Sequence, residues 1–297
     1  MDDPADIEEN SAIIRTFILN EKIDSQLESD IVNAYQQLGG GYVAVRSSAT
    51  AEDLPDASFA GQQETFLYVK GEKELSGYVK RCWASLWSAR AMSYRNKKGF
   101  DHQKVFISVV IQKMVDATVS GIMFTSNPLT QNENELYITS AYGLGELVVS
   151  GQVTPDSFII DKKNIDKKNK HVTSKELGTK EKEHVIGTSD RTSLLQVTVE
   201  RRKQYSLTEK QLLQLADLAV NVENHYQSPQ DIEWAFADDQ LYLLQSRPIT
   251  TLEKMEQVDL GKINQTQIKI LDDLLEHYPE APTPLDYTLV TMSYQAL

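Results

Sequence analysis

Val43-Ala44-Val45-Arg46-Ser47-Ser48-Ala49-Thr50-Ala51-Glu52-Asp53 is followed closely by Ser58-Phe59-Ala60-Gly61-Gln62-Gln63-Glu64-Thr65. The first stretch reads as a short apolar strand that delivers an arginine and several hydroxyls into a loop. A guanidinium pairs bidentately with phosphate oxygens, and hydroxyls just past a strand end support it. In the second stretch Gly61 sits between small and polar residues. Such a loop closes over an anion with its amides pointing inward. Alone, an Arg-Ser-Ser turn is also an ordinary strand end. The two stretches together suit a polyanion such as a nucleoside triphosphate.

A second pattern of acid and arginine lies far downstream, in Asp231-Ile232-Glu233-Trp234 and Gln245-Ser246-Arg247-Pro248. Glu233 alternates with apolar neighbours, so it faces away from them on its strand. Gln245 ends the partner strand of a hairpin predicted over Ile232–Phe236 and Gln240–Gln245, turning at Asp238-Asp239. A carboxylate and an amide oxygen on adjacent strands suit Mg²⁺, which takes few protein oxygens and otherwise binds water and phosphates. Arg247, two residues on, shares the face of Gln245 and is placed to stabilise charge on a transferring phosphoryl group. Glu233 and Arg247 also read as a plain cross-strand ion pair, and the residues alone leave both readings standing. Gln112, with Met114 after it, is either an edge-strand glutamine or the polar neighbour of an adenine ring.

The composition narrows the class. At 297 residues and 40% hydrophobic content the chain buries a sizeable core. A net charge of −13 and a pI near 4.9 disfavour a general nucleic-acid or anionic-membrane binder. One cysteine, Cys82, excludes an internal disulfide and suits a reducing cytosol. No apolar run of spanning length and no signal-peptide pattern occur, so the expectation is a soluble, cytoplasmic chain. The pattern GxxxxGK[ST] is missing, which excludes a P-loop. His102, His171, His184, His225 and His277 lack metal-ligand spacing and read as surface or satisfied residues.

Helical spacing runs from about Ile7 to Leu38, and Gly39-Gly40-Gly41 stops the second helix there. Tyr42–Arg46 and Glu64–Val69 read as strands, and Glu72–Asn96 as one long helix. Val105–Val115 and Val119–Thr125 read as consecutive strands with a bend at Asp116-Ala117. Further strands are expected at Glu135–Thr139 and Ser157–Asp161, an exposed hairpin tip at Lys162–Lys170, and an amphipathic helix at Leu207–Tyr226. Irregular interleaving with antiparallel hairpins predicts an α+β fold.

At this point the motifs become recognisable. Val43 to Pro55, Ser58-Phe59-Ala60-Gly61-Gln62, Cys82-Trp83-Ala84-Ser85-Leu86, Gly143-Leu144-Gly145-Glu146, Val153-Thr154-Pro155-Asp156 and the Glu233/Gln245-x-Arg247 pair resemble a known nucleotide-binding domain. It is that of the phosphoenolpyruvate synthase, pyruvate phosphate dikinase and rifampin phosphotransferase family. The resemblance covers about 41–251. The stretch His277 to Asp286 looks more like the rifampin branch.

The resemblance implies an ATP-grasp-like fold of two subdomains with mixed or antiparallel sheets flanking a nucleotide cleft. Their expected bounds are 1–113 and 114–252, with a helical tail and linker at 253–297. It also implies ATP and Mg²⁺ as cofactors. Arg46 would contact phosphates, Gly61 and Thr65 would belong to the phosphate-covering loop, and Gln112 would lie on the adenine side. Glu233 and Gln245 would hold metal and nucleotide, and Arg247 the terminal phosphates; Arg46 and Arg247 carry the catalytic expectation. The implied activity passes the ATP β-phosphate through a phosphohistidine carrier, releasing AMP and phosphate. The family's lysine-bearing Gly-rich segment ahead of Arg46 and its Thr-Ser-His motif are not found in this chain, where 45 residues precede Arg46. The expectation is therefore a fragment, inactive alone, whose swivelling phosphohistidine domain and acceptor domain lie elsewhere. The alternative is a non-catalytic nucleotide-binding or interaction module.

Overall fold

The computed structural model describes residues 3–49, 53–54, 57–58, 64–164, 172–186 and 192–249. Gly61 lies outside these residues, as does the expected tail at 253–297, and Lys162–Lys170 is described only as far as Asn164.

Two helices open the chain, α1 (Pro4–Asn20) and α2 (Ser25–Gln37). Each begins where an aspartate accepts from otherwise unpaired amides: Asp3 from Ala5 N, and Asp24 from Gln26 N and Leu27 N. There follow β1 (Val43–Ala49), the short β2 (Asp53–Leu54) and β3 (Ala57–Ser58), and β4 (Thr65–Val69). Next come α3 (Glu72–Ser85), α4 (Ala89–Lys98) and β5 (Ile107–Lys113). Strands β4, β1 and β5 form an antiparallel sheet in that order. Its apolar face packs on α2 and α3 through Tyr35, Val43, Val45, Val69, Leu75, Val79 and Cys82. Burial, with the Glu64 carboxylate adding to it, pushes the Cys82 thiol up to about 12. The thiol is a core group without thiolate character.

The single helix expected over Glu72–Asn96 is two. Ser88 breaks it by accepting from Ala91 N at 3.2 Å, an N-cap bond that needs extended backbone at Ser88 itself. The break turns Leu86 and Trp87 into a small cluster with Tyr94, Phe100, Val105 and Ile107, which a straight helix would spread along its length.

After the bend at Asp116-Ala117 the chain builds β6 (Val119–Phe124), β7 (Glu135–Tyr142), α5 (Glu146–Val149) and β8 (Asp156–Asp161). Then come β9 (Val172–Glu176), β10 (Lys182–Ile186), β11 (Thr192–Gln196), α6 (Val199–Arg202) and α7 (Glu209–Tyr226). The hairpin of β12 (Gln230–Ala237) and β13 (Gln240–Pro248) closes the described part. A six-stranded antiparallel sheet runs β13-β12-β6-β7-β8-β9, while β10 and β11 pair separately. Leu212, Leu215 and Ala219 of α7 pack on Ile138, Phe158, Trp234 and Phe236. Gly121 in β6 makes room for this core: a Cβ there would strike the Thr139 carbonyl and come within 2.8 Å of the Trp234 ring. The fold is α+β, built on antiparallel sheets. Among the described residues no helix is long and apolar enough to cross a membrane.

Candidate functional site

Strand register places the polar groups. In the first sheet Ala44 pairs with Gln112 and Arg46 with Val110, so Arg46 and Gln112 are diagonal neighbours on one face. Across the other edge of β1, Arg46 stands opposite Thr65. In the second sheet Glu233 stands directly opposite Gln245, and Asp231 opposite Arg247.

The two sheets meet through these side chains. Arg46 Nη1 donates to Gln112 Oε1 at 3.1 Å, and Arg46 Nη2 donates to Gln245 Oε1, a residue 199 positions away. Glu233 Oε2 lies 3.5 Å from the same Nη2. Gln112 Nε2 donates in turn to the Leu244 carbonyl at 2.9 Å. One guanidinium thus gathers a carboxylate and two amide oxygens, its side chain 21% exposed and that of Glu233 27%. Partial withdrawal from water strengthens each of these contacts.

Beside this cluster lies a cavity of about 380 Å³, inside the size range of ligand sites. Arg46, Thr65, Gln112 and Glu233 contribute its polar wall. Leu67, Met114, Val115, Leu144 and Leu244 contribute an apolar one. Lys113 and Glu146 also line it, so charged and apolar groups share one cavity, which suits an amphipathic ligand.

Arg247 is placed differently. Its Nε donates to Asp231 Oδ2 at 2.8 Å and its Nη2 lies 2.7 Å from the same oxygen, so its partner is Asp231 rather than Glu233. The bulge between Glu233 and Trp234 leaves Glu233 facing Gln245 while Asp231 faces Arg247. Arg247 sits two residues along β13 from Gln245 and outside the cavity wall. Asp231 was legible in the sequence, since it alternates with Glu233 onto the same strand face.

Three further residues gather beside the cavity, Tyr68 and Glu146 within its lining and His184 behind them. Tyr68 Oη donates to Glu146 Oε2 at 2.9 Å and lies 3.2 Å from His184 Nδ1. His184 Nδ1 is 2.9 Å from the same carboxylate oxygen. The Gly143-Leu144-Gly145-Glu146 motif supports this cluster. Gly143, at φ 76°, lies against the His184 backbone, and Leu144 N donates to the His184 carbonyl at 2.8 Å. Nothing in the sequence marks Tyr68 or His184, because their neighbours come from separate elements.

Residues 1–267 match the family model described as pyruvate phosphate dikinase, AMP/ATP-binding domain. The chain belongs to this family. Among curated proteins it is 48% identical over 263 residues to the phosphoenolpyruvate synthase of Pyrococcus furiosus, covering 86% of this chain and 32% of that one. It is 45% identical over 277 residues to a probable phosphoenolpyruvate synthase of Pyrococcus horikoshii, covering 90% and 34%. The rifampicin phosphotransferase of Bacillus subtilis is 40% identical over 285 residues, covering 94% and 31%. The chain spans about a third of the length of these relatives. Both branches named by the sequence motifs are therefore similar to this AMP/ATP-binding domain.

Proposed function

We propose that the cavity between the two sheets binds ATP with magnesium, and that the chain supplies the nucleotide-binding part of a dikinase-type phosphotransfer. In this reading the fold is ATP-grasp-like, with subdomains at 1–113 and 114–252 joined through the bend at Asp116-Ala117. The observation that carries it is the convergence of Arg46, Gln112 and Glu233 on one cavity from two sheets, with Gln245 just outside its lining and bonded to Arg46.

Arg46 holds phosphate oxygens through its planar fork, since it already reaches across the gap between the sheets. Thr65 lies beside it on β4, and the Gly61 segment precedes that strand. The apolar wall with Met114 and Gln112 takes the adenine. Glu233 and Gln245 fit Mg²⁺: one carboxylate oxygen and one amide oxygen already converge on a single positive centre, the Arg46 guanidinium. When bound, the metal neutralises phosphate charge. Arg247, braced by Asp231, stands next along β13 for the terminal phosphates. The β-phosphate then passes to a phosphohistidine carrier and on to an acceptor, with AMP and phosphate released.

Calorimetric titration tests the reading. Arg46→Met removes a charge-assisted contact of about 1.5–3 kcal/mol and weakens ATP binding roughly 10- to 150-fold. Glu233→Gln weakens Mg-ATP more than ATP in excess chelator. No binding by the unaltered chain at millimolar ATP, or equal affinity for the Arg46→Met variant, rejects the assignment.

A further inference from the structure

Tyr68 ties the first sheet to α5 and to the β10-β11 pair. It belongs to β4, and the partners of its hydroxyl come from beyond the segment that joins the two larger sheets. Its amide donates to Met114 Sδ at 3.2 Å, in the segment joining the sheets. Its hydroxyl reaches Glu146 at the start of α5 and His184 on β10. Its ring meets the His184 ring edge-on, with centroids 5.4 Å apart at 67°.

Two features set this contact apart from ordinary packing. Tyr68 has φ 62°, a conformation that an aromatic residue rarely adopts and that persists only where surrounding contacts over-determine it. The cavity also stays open beneath: both Tyr68 and Glu146 line the space of about 380 Å³ while bonded to each other. The bridge therefore stands in the wall of a chamber that it leaves open. Burial, with the Glu146 carboxylate beside it, holds the Tyr68 phenol above its ordinary range, so the hydroxyl keeps the proton it donates.

We propose that Tyr68, Glu146 and His184 form a latch that joins β4 to α5 and β10 at the cavity and gates exchange of its occupant. Gly143 and Leu144 hold Glu146 and His184 as a fixed catch, and Tyr68 is the part that lets go. Release relieves the left-handed backbone at Tyr68. A gate of this kind changes entry and exit together and leaves affinity nearly constant, because occupied and empty states both have the latch closed.

The test uses Tyr68→Phe and Glu146→Ala in the full chain, each checked against the unaltered thermal midpoint. The first arm needs no nucleotide. Amide hydrogen exchange across residues 144–149 and 184–186 accelerates about tenfold or more in both variants, the factor for one lost hydrogen bond to a charged group. The second arm rests on the ATP assignment: stopped-flow mixing with ATP, read through Trp234, whose ring is buried and which borders the cavity. Association and dissociation both rise about tenfold or more, and their ratio holds. Unchanged exchange in both variants overturns the latch. Faster dissociation with unchanged association also overturns it, since the hydroxyl would then be a ligand contact. If exchange accelerates but the unaltered chain gives no ATP signal, the latch stands and the nucleotide assignment falls.

Discussion

Replacing Asp156 by alanine should be among the most damaging single changes in this protein. Asp156 and Lys180 form an ion pair in which both side chains are 0% exposed. Asp156 Oδ1 accepts from Lys180 Nζ and from Gly178 N at 2.9 Å, while Oδ2 accepts from Ser206 N and Ser206 Oγ, each at 2.7 Å. Lys180 Nζ also donates to the Gly178 carbonyl at 2.9 Å. Alanine leaves a buried ammonium with neutral carbonyls alone and strips two amides and a hydroxyl of their acceptor. Breaking such a pair costs about 3–5 kcal/mol, a large share of a typical domain's stability of roughly 5–15 kcal/mol. Urea unfolding followed by circular dichroism gives the loss directly. The decisive comparison is the double variant Asp156→Asn, Lys180→Met, which removes both charges and should recover about half or more of the loss. An Asp156→Ala cost under about 1 kcal/mol would refute the reasoning, as would a double variant no better than the single one. The knot holds Thr154-Pro155-Asp156 against Gly178–Lys180, just ahead of β10, so Asp156→Ala should also loosen His184.

Two further predictions concern the core. His102 accepts from Arg95 Nε at Nδ1, 2.8 Å away, and lies 2.7 Å from Asn96 Oδ1 through Nε2, a pattern that keeps the ring neutral. Burial first, then the Arg95 charge, lowers its pKa below 6.5 against a smaller pull from Asp101. The unfolded chain thus takes up a proton that the folded chain refuses. This contribution is complete above pH 6.5 and is lost as pH falls toward the folded value. His102→Gln should flatten the urea midpoint against pH between about 5 and 7, and superimposable curves would dismiss the idea. Gly121→Ala pushes a methyl into the Thr139 carbonyl and the Trp234 ring in a central strand. It should cost about 1–3 kcal/mol or more; an unchanged melting temperature would mean that the sheet can shift to admit it.

Local chemistry made much of the chain readable. Apolar β-type runs marked β1, β5, β6 and β12, of which β6 and β12 are buried along nearly their whole length, and helical spacing marked α7, which buries one face. Gly39-Gly40-Gly41 marked the end of α2, since all three take positive φ, between 64° and 87°. The break at Ser88 was missed because helix spacing continues through it, and only the cap bond reveals the turn. Strands β9, β10 and β11 were missed because their apolar residues are few and partly exposed, so their pairing is settled by neighbours.

The sequence by itself determined the site's inventory: a guanidinium after an apolar strand, and a carboxylate and an amide on adjacent strands of a predicted hairpin. Those follow from residue type and strand alternation, which are local properties. Only the tertiary structure decided that Arg46 turns to Gln245 and Glu233, that Arg247 takes Asp231, and that Tyr68 crosses to Glu146 and His184. Such pairings depend on how two sheets approach and on one bulge in β13, at Leu244. Those are set by packing of whole faces, which no short stretch of residues encodes.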